Sequence, residues 1–134
     1  MAHAILSASG SKRWLSCPPS ARLERNFPDR EGEAAAEGTL AHELAEIELK
    51  RWLGRLSDAQ ANRRRRAIES SDLYTPDMAD HVSDYVDICI EKINACHGIA
   101  LVEERLNFSR WVRDGFGTGD MVIIGDGVLE IVDP

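Results

Sequence analysis

Asp120 and Asp133 stand at the ends of two apolar runs joined by a tight turn. The segment reads Gly117-Thr118-Gly119-Asp120-Met121-Val122-Ile123-Ile124, then Gly125-Asp126-Gly127, then Val128-Leu129-Glu130-Ile131-Val132-Asp133-Pro134. Two carboxylates brought together on a buried hairpin offer the oxygen donors that a divalent cation takes. Counting tests whether they can meet. Gly125-Asp126 fits a two-residue hairpin turn, with Gly125 supplying the positive φ. That register pairs Ile124 with Gly127, Val122 with Leu129, Asp120 with Ile131 and Thr118 with Asp133. Paired residues share a face, so Asp120 and Asp133 become diagonal neighbours, about 7–8 Å apart at the backbone and able to converge on one ion. A slip of one residue would send them to opposite faces. The alternative is that both acids merely punctuate strand ends.

A second pair of reactive types lies on a helix. His42 and Glu46 are one turn apart on a single flank, able to share a metal or to stand as an exposed surface pair. Cys17, Cys89 and Cys96 form neither a disulfide framework nor a zinc pattern. Cys89 and Cys96 fall on an apolar helical stripe and read as buried thiols.

The elements that must position these groups follow from periodicity and punctuation. Serines at 7, 9 and 11 precede an amphipathic turn or two, broken at Cys17-Pro18-Pro19 because a residue before proline avoids helix. A short helix resumes over Ala21 to Asn26. Residues 27–37 read as a turn-prone loop, and Gly38-Thr39 opens a helix from about Leu40 to Trp52 on the stripe Leu40, Leu44, Ile47. A short helix passes through the run Arg63-Arg64-Arg65-Arg66, which is either a phosphate-contacting patch or a solvated helix face. Thr75-Pro76-Asp77 combines a capping hydroxyl, a proline at the first position and an acid in the first turn, and predicts a helix to about Ala95. Leu101–Phe108 is strand-like, with Glu103 and Glu104 pointing to opposite faces, and the hairpin closes the chain. Met121, Ile123, Val128 and Val132 fill the hairpin's other face, so both sides read as covered by protein. The expectation is an α+β fold, helical over 1–97 and stranded over 98–134, in a single domain spanning 1–134.

Bulk properties exclude several classes. A chain of 134 residues that is 43% hydrophobic and 29% charged can build one modest core. No run is long enough to span a membrane, and the N-terminus lacks the features of a signal peptide, so a cytoplasmic location is expected. A formal charge of −7 argues against a surface that coats nucleic acid, though not against an enzyme that grips it locally beside metal ions.

Several signatures occur together in order: Ser7-Ala8-Ser9, Arg13-Trp14-Leu15-Ser16-Cys17-Pro18-Pro19-Ser20, Glu37-Gly38-Thr39-Leu40-Ala41-His42-Glu43-Leu44-Ala45, Val102-Glu103-Glu104-Arg105-Leu106-Asn107-Phe108-Ser109-Arg110-Trp111, Gly117-Thr118-Gly119-Asp120 and Ile131-Val132-Asp133. With them the chain resembles the N-terminal portion of the phage- and prophage-associated DUF2800 family. That family looks like a branch of the PD-(D/E)XK nucleases, near the RecB-like and Cas4-like exonucleases. The resemblance implies a restriction-endonuclease-like core. It also implies a catalytic and metal site of His42, Asp120 and Asp133 holding Mg²⁺ or Mn²⁺. DNA would be the substrate, with phage recombination proteins as further partners. The motif lysine would fall after Pro134, which occupies the X position, so an incomplete site is expected. Cys17 matches the first cluster cysteine of iron–sulfur relatives, but the others have no counterpart. No cluster is expected, and Cys17 reads as packed at a helix end. Glu103 or Glu104 reads as an auxiliary acid or as a surface carboxylate, and Glu130 points away from the two aspartates. The function implied is a metal-dependent deoxyribonuclease. The alternatives are an inactive DNA- or partner-binding remnant of the same fold, and a domain whose acids are structural.

Overall fold

The computed structural model describes residues 4–28 and 32–133. Residues 1–3, residues 29–31 within the expected loop, and Pro134 of the motif reading lie outside them. Five helices precede three strands: α1 (Ser11–Ser16), α2 (Ser20–Glu24), α3 (Glu33–Trp52), α4 (Asp58–Glu69), α5 (Pro76–Ala95), β1 (Gly98–Asn107), β2 (Phe116–Gly125) and β3 (Val128–Val132). The strands form one antiparallel sheet in the order β1-β2-β3, a mixed α+β architecture. The chain divides into two compact units, one of Met1–Arg30 with Arg105–Gly119 and one of Glu31–Glu104 with Asp120–Pro134.

In the first unit, short-range polar contacts replace a large core. The Ser7 hydroxyl accepts a bond from the Gly10 amide at 3.1 Å, and the Trp14 indole donates to the Ser7 carbonyl at 2.8 Å. Arg13 pairs with Glu24. The Phe108 amide donates to the Gly115 carbonyl at 3.1 Å, and the Arg105 guanidinium sits 4.0 Å from the centre of the Phe116 ring. Cys17, expected to pack at a helix end, is exposed instead: it caps α1, a helix that buries none of its residues.

The second unit holds the main core. Leu44, Ala45, Ile47 and Leu49 of α3 pack with Val82, Tyr85, Val86 and Cys89 of α5, and with Ala100, Val102, Met121 and Ile123 of the strands. Cys89 is fully buried and Cys96 half-buried. α5 starts where its signals place it, with the Thr75 hydroxyl accepting from the Met78 amide and Pro76 at the first position. α3 differs: it begins at Glu33, seven residues before Leu40. Glu33 to Glu37 are strong helix formers, and Thr39 sits inside the helix by bonding back to the Ala35 carbonyl at 3.0 Å.

The hairpin register also differs. Observed pairs run from Gly125–Val128 through Ile124–Leu129 and Val122–Ile131 to Met121–Val132. The turn is Asp126-Gly127, both with positive φ (53° and 76°), the mirror-image type I′ geometry. Gly125 is needed for another reason: a Cβ there would lie 2.7 Å from the Cys96 sulfur, the Gly98 Cα and the His97 carbonyl. The shift is two residues, so face parity is kept. Leu129 and Ile131, expected under cover, are each 60% exposed. Within this unit the helices line the sheet face that carries Met121 and Ile123, and β3 is an edge strand.

Candidate metal centre

Three side chains from three elements converge in the second unit. His42 lies on the flank of α3, off its buried stripe, so the imidazole can leave the core without vacating it. Asp120 precedes the fully buried Met121 on β2, and Glu103 follows the buried Val102 on β1. Core anchors next to both acids thus fix where their carboxylates emerge. His42 Nδ1 lies 3.3 Å from Asp120 Oδ1 and 3.7 Å from Glu103 Oε1. One ligand atom from each residue lies within 4.8 Å of the others. The side chains are 39%, 24% and 25% exposed for His42, Asp120 and Glu103, enough for an ion to reach them.

Glu103 has a backbone φ of 51°, in the left-handed region that a residue with a Cβ rarely takes. Such a conformation costs of order 1–3 kcal/mol and persists only where surrounding structure enforces it. Here it breaks the simple alternation of β1 beside the acid cluster. The sequence shows two adjacent glutamates; the approach of its carboxylate to His42 and Asp120 is what distinguishes Glu103.

The electrostatics are those of crowded acids. Burial, then a hydrogen bond with Asp133, push the Asp120 carboxyl up to about 6, with Glu103 and Asp133 adding repulsion and His42 opposing it. Burial also raises the Glu103 carboxyl, against the pull of His42 and with a push from Glu46. A divalent cation would relieve both penalties.

Asp133 stands beside Asp120, accepting its hydrogen bond, but is not one of the three mutually close ligands. With His42, Tyr85 and His81 it lines a cavity of about 700 Å³ between α3 and α5. The structure thus brings His42 and Asp120 into direct contact, sets Asp133 alongside, and adds Glu103. Glu46 goes elsewhere: its carboxylate pairs with Lys50 at 2.7 Å and Arg64 at 3.3 Å, which hold it below the usual range although burial acts to raise it. Lys92 is paired with Glu130.

An imidazole nitrogen with two or three carboxylate oxygens is a donor set that could hold a divalent metal ion. The chain matches the family described as a protein of unknown function, DUF2800, over residues 3–134, and it belongs to that family. No solved structure matches it. Among the described residues no helix is long and apolar enough to cross a membrane.

Proposed function

We propose that this chain carries the metal-binding part of a phosphodiester-hydrolysing site that acts on DNA, of the PD-(D/E)XK type and used in phage DNA processing. The observation that supports the reading is the convergence of His42, Glu103 and Asp120, drawn from an early helix and two strands, with Asp133 next to Asp120. His42, Asp120 and Asp133 would hold Mg²⁺ or Mn²⁺, with Glu103 as a further ligand. The bound ion would polarise the scissile phosphate and make a water molecule acidic enough to attack it. The residues' own part is to hold the donors in place: Asp120 sheds any proton it holds on binding, and His42 offers a ring nitrogen. The motif lysine, which would position the water, would be the residue after Pro134.

Calorimetric titration of Mn²⁺ into the protein and its Asp120→Ala and His42→Ala variants tests the site. Binding should depend on both residues. A DNA degradation assay on a chain carrying lysine after Pro134 tests the reaction, with Asp133→Ala lowering the rate by orders of magnitude. Metal binding without cleavage would favour the DNA- or partner-binding remnant, and Mn²⁺ binding indifferent to Asp120 would remove the site.

A further inference from the structure

Tyr85 lies on the buried face of α5, 9% exposed among Val82, Val86 and Cys89. Its hydroxyl donates a hydrogen bond, 3.1 Å long, to the main-chain carbonyl of Val132. That carbonyl belongs to the last residue of β3 and immediately precedes Asp133. The β2–β3 ladder ends at the Met121–Val132 pair, and β3 has a sheet neighbour on one side only. Strand ends with one neighbour fray readily, and a carboxylate one step past the ladder shares that freedom. The phenol supplies the missing tie. Burial first, then the Cys89 side chain and the nearby Asp120 and Asp133, push its ionisation far above the ordinary range, so it stays a donor at any working pH.

We propose that Tyr85 is a positioning residue of the metal centre: through the Val132 carbonyl it holds the Asp133 carboxylate beside Asp120. This rests on the reading that these carboxylates bind a cation. The same tyrosine also lines the cavity shared by His42 and Asp133, so the tether and the site meet in one place. Tyr85 acts through the backbone and is not itself a ligand.

The test is calorimetric Mn²⁺ titration of the whole chain as wild type, Tyr85→Phe, Asp133→Ala and the double variant, with Asp120→Ala as reference. Phenylalanine keeps the packed ring and removes one oxygen, so the melting temperature should fall by only about 5 °C. Mn²⁺ affinity should fall about tenfold, as for other groups that orient ligands from outside the first shell. The Tyr85→Phe and Asp133→Ala losses should not multiply, because both act through one carboxylate. Wild-type affinity in a destabilised Tyr85→Phe protein, or fully multiplicative losses, would assign the bond to stability alone and overturn the proposal. Should Tyr85→Phe fail to fold, amide exchange in the metal-free wild type decides: the end of β3 must be as protected as its middle, and exchange there as fast as at a frayed strand end overturns the tether. Wild-type binding indifferent to Asp120→Ala overturns the metal site and this proposal with it.

Discussion

Asp120 and Asp133 occupy matching places on paired strands, each one step beyond the Met121–Val132 pair that ends the β2–β3 ladder. Burial of Asp120 first, and then its hydrogen bond with Asp133, raise the proton affinity of the Asp120 carboxyl. Without metal, the folded chain holds that proton up to about pH 6, whereas the unfolded chain releases it near the ordinary value of 3.8. Between those limits the native state binds more protons, so this group's contribution to stability is full below the lower limit and is lost as pH rises through about 6. In chelator, the melting temperature of the wild type should therefore gain on that of Asp120→Asn as pH falls from 7 to 4. Thermal scans giving parallel curves across that range would contradict the coupling.

Metal binding should show the opposite trend. The cation needs the carboxylate, so binding expels the proton that Asp120 holds below about pH 6. Only about a tenth of such a group is ionised one unit below its midpoint, so Mn²⁺ affinity should drop about tenfold between pH 7 and pH 5. Titration in two buffers of different ionisation enthalpy should also detect the released proton. Equal affinities at the two pH values would exclude Asp120 as a ligand.

Glu103 places stability and metal binding in opposition. Its φ of 51° is strained, and its charge adds to the repulsion at Asp120. Glu103→Gly removes both penalties and should stabilise the apo protein by about 1 kcal/mol. Glu103→Ala removes the charge but keeps the strain, so it should gain less. Both variants should bind Mn²⁺ more weakly than wild type. Denaturant melts in chelator order the three proteins, and an alanine variant as stable as the glycine one would show that the backbone carries no strain.

Gly98 and Gly127 separate two reasons for glycine. A Cβ on Gly98 would fall 2.0 Å from the Ile124 carbonyl oxygen, which is backbone and cannot step aside. A Cβ on Gly127 would meet nothing within 4 Å, but the residue has φ 76°. Gly127→Ala should thus cost about 1 kcal/mol, the conformational penalty alone, while Gly98→Ala should cost about 3 kcal/mol or more by forcing the strands apart. Urea unfolding of both variants checks the ranking.

Much of this arrangement was legible in the residues, and its misses have physical causes. Thr75-Pro76 marked the start of α5 because cap and proline act within one turn. The start of α3 was hidden because glycine and threonine, normally helix punctuation, sit inside it. For the hairpin, Gly125-Asp126 and Asp126-Gly127 are both good two-residue turns, and cross-strand crowding at Gly125 chose between them. The aspartates stayed on one face because the shift was even. Glu103 was ambiguous because strand alternation assumes ordinary backbone, and its φ departs from it.

The arginine run divides by what each side chain meets on α3. Arg65 bonds Glu48 at 2.9 Å and Glu69 at 2.8 Å, and Arg64 reaches Glu46 at 3.3 Å, whereas Arg63 and Arg66 are exposed. The inward pair joins α4 to α3, with Ala61 and Ile68 buried on the same helix. Such pairs are partly solvated, so each is worth a few tenths to about 1 kcal/mol. Arg65→Gln, which breaks two of them, should lower stability by about 1 kcal/mol and lose most of that effect in 1 M salt, where screening acts within about 3 Å. Arg63→Gln with Arg66→Gln should leave the melting temperature unchanged in both salts. Equal losses from inward and outward arginines would mean that their number, and not their partners, sets the contribution of α4.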